Sequence, residues 1–133
     1  DNDIYHQIIE AGELSPTEDF ISALRDEVLQ YVCLREMERT APHVGGSGRT
    51  NDFWGEHIYK NIELYESFGG TYGLGRRNPS RENLEGSVGS PFFSFAIKIN
   101  KALPPEYRRL TVNKWEFALA IRRARQNSKK LIG

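Results

Sequence analysis

A chain of 133 residues with 38% apolar and 11% aromatic content can bury one core but is short for two, and its aromatics exclude a wholly disordered polymer. Its 18 Lys and Arg balance its 18 Asp and Glu, yet residues 1–70 hold 14 acids against 5 bases and residues 71–133 hold 4 acids against 13. The balance argues against long-range attraction driven by net charge, while the split points to an electrostatic partner, to a second copy or to pairing of the two halves inside one fold.

Ile4, Tyr5, Ile8 and Ile9 predict a short first helix stopped at Gly12, whose missing Cβ suits a left-handed cap. Ser15-Pro16-Thr17-Glu18 predicts the next start, with Ser15 as cap, Pro16 at the first helical position and Glu18 closing a capping box. Phe20, Ile21, Leu24, Val28, Tyr31, Val32 and Arg35 then recur at helical spacing, with Leu29, Cys33 and Met37 widening the stripe and Pro42 ending it. On such a stripe Cys33 is expected to be buried. As the lone cysteine it forms no internal disulfide, which points to a reducing, intracellular compartment, cytoplasmic or nuclear. Residues 43–50 carry three glycines and read as a flexible connection.

A third helix is expected from Asn51 or Asp52 through Trp54, Ile58, Ile62 and Tyr65, with Glu56, Glu63 and Glu66 on its wet side and Gly69-Gly70 closing it. Residues 71–89 have no apolar periodicity and read as a long loop rich in Gly and Arg. Ser90-Pro91 opens another helix with Phe92, Phe93, Phe95, Ala96, Ile99 and Leu103, stopped by Pro104-Pro105. Thr111 caps a last one, with Val112, Trp115 and Leu119 on one face and Phe117, Ile121 and Ala124 on another. No stretch alternates as a strand would, so the expected fold is an all-α, single-domain bundle over residues 1–133: four main helices plus one or two short ones. No apolar run approaches the ~20 residues of a membrane span, and the acidic Asp1-Asn2-Asp3 is unlike a signal peptide. A first residue other than Met suggests a piece of a longer protein.

Arg76, Arg77, Arg81, Lys98, Lys101, Arg108, Arg109, Arg122, Arg123 and Arg125, with Lys129 and Lys130, are the candidate phosphate contacts of a nucleic-acid surface, DNA or RNA, with the loop arginines as its adaptable part. Gly46, Gly48, Arg49 and Thr50 form a weaker anion-binding candidate ahead of the third helix. They do not make a P-loop, because His43 stands where its first glycine belongs and Arg49 where its lysine belongs. His57 and His43, with Glu56, Arg39 and Arg49, are the available groups for general acid–base cleavage of RNA. The Arg-to-His spacings depart from the four to six intervening residues of HEPN-type ribonucleases: three from Arg39 to His43, and seven from both Arg35 to His43 and Arg49 to His57.

The scattered histidines lack metal-ligand spacing, and no cofactor motif is present. The acidic residues Glu10, Glu13, Glu18, Asp19, Asp26, Glu27, Glu36 and Glu38 could instead receive a basic protein partner or the basic half of another copy, as in a homo-oligomer, anchored by Phe92, Phe93, Phe95 and Tyr107. The primary expectation is thus a nucleic-acid-binding helical domain without assigned catalysis. The alternatives are a protein-interaction or assembly module and, third, a helical-bundle ribonuclease.

Overall fold

The computed structural model of the protein describes residues 2–40, 53–73, 90–109 and 114–132. Five α-helices lie in these segments: α1 (Asn2–Ala11), α2 (Glu18–Thr40), α3 (Phe53–Ser67), α4 (Pro91–Ala102) and α5 (Lys114–Ile132), with a 3-10 turn at Pro105–Tyr107. Among the described residues there is no strand, and the fold is an all-α bundle. No described helix is long and apolar enough to cross a membrane.

The helices form where apolar side chains recur on one face and where a cap takes up the first free amides. Ser90 accepts from the Phe93 amide at 3.2 Å, with Pro91 at the first turn, so α4 starts where the sequence places it. Thr17, and not Ser15, caps α2, its hydroxyl 3.2 Å from the Phe20 amide. The Thr17 amide turns back to the Ser15 carbonyl at 2.9 Å, which leaves Pro16 before the helix and Glu18 as its first residue. At the end of α1 it is Glu13, with φ 60°, that takes the left-handed conformation assigned to Gly12. Gly12 serves close approach instead: a Cβ there would stand 2.8 Å from the Tyr65 ring, whose hydroxyl donates to the Gly12 carbonyl.

One apolar cluster joins all five helices. α1 packs on α4 and α2, and α3 packs on α2, α4 and α5. Phe20 stacks on Phe68 with centroids 4.4 Å apart, Tyr65 meets Phe92 and Phe95, and Phe117 meets Trp54 and Phe93 edge-on. Trp54, Ile58, Ile62 and Tyr65 are buried as their spacing implies, and so are Phe92, Phe93, Phe95 and Tyr107. These last four are therefore core and offer no exposed anchor to a partner.

On α2 the expected stripe is too wide. Phe20, Leu24, Val28 and Tyr31 face the core; Cys33 is exposed, as are Leu29 (55%) and Met37 (61%). At 100° per residue the face of Leu29, Cys33 and Met37 turns away from that of Leu24 and Tyr31. The anion-binding candidate at Gly46–Thr50, His43, the loop arginines Arg76, Arg77 and Arg81, and the Thr111 cap lie outside the described residues.

Candidate functional site

Two polar constellations lie along α2, and they differ in access to solvent. The first is internal. Glu27, assigned to the acidic surface from its charge, occupies the core face of α2 three residues after Leu24 and is 8% exposed, while His57 is 2% exposed on α3. His57 Nδ1 donates to Glu27 Oε1 at 2.8 Å. A carboxylate can only accept, which leaves Nε2 to accept from Asn61 Nδ2 at 3.2 Å. The Tyr31 ring covers the imidazole at a centroid distance of 4.2 Å. Both ring nitrogens of His57 are thus engaged inside the bundle, and Asn61 Oδ1 is buried without a hydrogen-bond partner. The arrangement orients and locks α2 against α3; it presents no proton-transfer group to a bulky substrate.

The second constellation opens outward, about two turns further along α2. Arg35, Arg108 and Arg109 converge on a cleft of about 450 Å³, floored by Trp54, Tyr107 and Phe117, with Glu116 on its wall. Each arginine is held by a partner in the bundle. Arg35 donates through Nη1 to the Tyr31 hydroxyl at 2.7 Å and pairs through Nε with Glu38 at 3.3 Å. Arg108 donates through Nε to the Leu103 carbonyl at 2.7 Å. Arg109 lies over the Trp54 ring, 4.4 Å from its centre.

The backbone of Arg109 is fixed from below. Asn100, 5% exposed, donates through Nδ2 to the Arg109 carbonyl at 2.8 Å and accepts from the Arg109 amide through Oδ1 at 3.0 Å. This paired amide clamp fixes the backbone at Arg109. A guanidinium carries five N–H donors in a planar fork that matches phosphate oxygens, so three arginines on one cleft are chemically suited to an oxyanion.

The remaining basic candidates divide. Arg125 lies over the Tyr72 ring at 4.5 Å, and Tyr72 itself packs edge-on against Phe92, so the first residues after α3 fold back onto the bundle. Burial raises the Tyr72 phenol above its ordinary value, with Arg125 and Arg122 opposing. Lys98, Lys101 and Arg123 are exposed. Lys129 and Lys130 belong to the last turn of α5.

Sequence reasoning named Arg108 and Arg109 but missed Arg35, Trp54, Glu116 and Asn100 as their companions. Asn100 did carry a signal, since it falls four residues after Ala96 and seven after Phe93, on the buried face of α4. Among the described residues no group of three or more His, Cys, Asp or Glu is arranged to hold a metal ion. No family model, curated protein or solved structure matches the chain.

Proposed function

We propose that the protein is a nucleic-acid-binding helical domain that holds phosphates in the Arg35–Arg108–Arg109 cleft. The observation that carries this reading is the convergence of three arginines, each anchored by its own side-chain or backbone partners, on one aromatic-floored cleft. Anchored donors pay less entropy on binding than free surface lysines do. A further arginine-over-ring pair, Arg125 on Tyr72, extends the same chemistry along α5. Tyr72 follows the C-terminus of α3, while Trp54 near its N-terminus meets Phe117, so the two helices run in the same direction and both stations lie along them.

Anisotropy of a labelled oligonucleotide across a salt series, with light scattering on the same sample, tests the reading. Each phosphate neutralised contributes about −0.9 to the slope of log K against log salt on a duplex, and about −0.7 on a single strand. An Arg108→Ala/Arg109→Ala variant is expected to lower that slope by about 0.7–0.9 for each phosphate contact it removes and to weaken binding about tenfold or more. Absence of binding at low salt, or an unchanged slope in the variant, overturns it.

A second reading has one observation in its favour. Leu29, Cys33 and Met37 form an exposed apolar stripe at four-residue steps on α2, which fits self-association. A salt-resistant dimer in the same light-scattering record, together with indifference to nucleic acid, would move the assignment to that face.

A further inference from the structure

The cleft differs from a plain basic patch in how its cations are presented. Arg109 is exposed, whereas the Trp54 indole beneath it is 9% exposed and 4.4 Å from the guanidinium carbon. The guanidinium therefore lies over the indole, and both residues line the cleft. The Asn100 clamp fixes the backbone that carries it, and the indole supports the side chain itself. A guanidinium plane supported in this way is a stacking surface for a nucleobase, and unpaired bases stack on Arg planes and aromatic rings in just this manner. A duplex hides its base faces and offers only groove edges and phosphates.

The size and charge of the cleft agree. About 450 Å³ suits one small ligand, with no room for a double helix. Glu116 lines the cleft beside the arginines, so its lining is not uniformly cationic, as a track for a run of phosphates would be. Arg35 and Arg108 supply the cationic rim away from the Arg109–Trp54 stack.

Resting on the nucleic-acid reading above, we infer that this cleft takes one unpaired nucleotide of a single strand, its base stacked on the outer face of Arg109 and its phosphate held by Arg35 and Arg108.

The test uses the full chain and three oligonucleotides of equal length: a base-bearing single strand, the same backbone with abasic residues throughout, and the blunt duplex. The base-bearing strand is expected to bind about tenfold more tightly than either of the others, the scale of one stacked base. Arg109→Lys keeps the charge and loses the plane; it should abolish that preference while leaving the salt slope of the single strand in place. Equal affinity for the abasic and base-bearing strands, or tighter binding of the duplex, overturns the stacked-base assignment and leaves the phosphate reading standing. Failure of all three to bind overturns both. Micromolar binding of a free nucleoside monophosphate, with the strand no tighter, overturns the assignment to a strand.

Discussion

The buried Glu27–His57–Asn61 group and the open Arg35–Arg108–Arg109 cleft draw on the same helix and on residue types that a sequence reader would treat alike as functional. Tyr31 separates them and touches both, with its ring on His57 and its hydroxyl on Arg35. Inside, every donor of the imidazole is matched to a protein acceptor, and the polar atoms hold α2 to α3. Outside, the three arginines line an open cleft and each also contacts the bundle. The comparison teaches that residue type is a poor guide to role, because access decides between scaffold and site.

Removing the internal histidine gives the largest expected effect. In His57→Ala the Glu27 carboxylate keeps its burial and loses its donor, and the ring leaves a cavity under Tyr31. Together these cost about 3 kcal/mol or more, read as a drop in the urea midpoint at unchanged m-value. Glu27→Gln should cost less, since its amide oxygen still accepts from Nδ1. Nucleic-acid affinity measured where both variants remain folded should be close to that of the parent. If His57→Ala leaves the midpoint unmoved, the internal group does not hold the bundle together; if it abolishes binding while the protein stays folded, the contrast between scaffold and site fails.

Much of the scaffold was legible in the sequence because it rests on local rules. The Ser90-Pro91 start, the Trp54–Ile58–Ile62–Tyr65 face and the proline stop after α4 depend on residues within a few turns of one another, and each is found as expected. The errors on α2 have a common cause. A stripe drawn wide enough to include Cys33 spans more than one face of a helix, and only packing shows which face is covered. Glu27 shows the converse error: charge put it outside, although its spacing from Leu24 and Tyr31 put it inside. The site was less legible for a different reason. Arg35 and Arg109 lie 74 positions apart in the chain, and nothing local links either to Trp54. What could have been read is the rule that a polar residue on an apolar face has a partner, which points to Glu27, His57, Asn61 and Asn100 alike.

Tyr31→Phe sharpens the comparison at its boundary. The variant keeps the ring over His57 and deletes the hydroxyl that accepts from Arg35 at 2.7 Å and donates to the Tyr107 carbonyl at 3.3 Å. The expected loss is about 1 kcal/mol in stability, with Arg35 freed to move and a few-fold weaker binding to match. Loss of stability alone would assign Tyr31 wholly to the scaffold, and loss of binding alone wholly to the cleft.

The smallest effect at neutral pH appears only in alkali. Burial raises the phenols of Tyr5, Tyr31, Tyr65 and Tyr72 above the ordinary 10.0; for Tyr107 the Glu36 carboxylate is the larger cause and burial the second, with Arg39 opposing. The unfolded chain releases these protons near pH 10 while the folded chain retains them, so above that pH the unfolded state binds fewer protons and stability falls as pH rises. Below pH 10 the contribution is fully present and flat. Denaturation midpoints taken from pH 8 to 12, alongside phenolate absorbance, should show the decline beginning near pH 10, with ionisation in the folded protein setting in at higher pH. Tyr31→Phe, with one fewer raised phenol, should show a shallower decline. An equally steep one would mean that Tyr31 ionises in the folded protein as it does in the unfolded chain, and that the layer between lock and cleft is open to hydroxide.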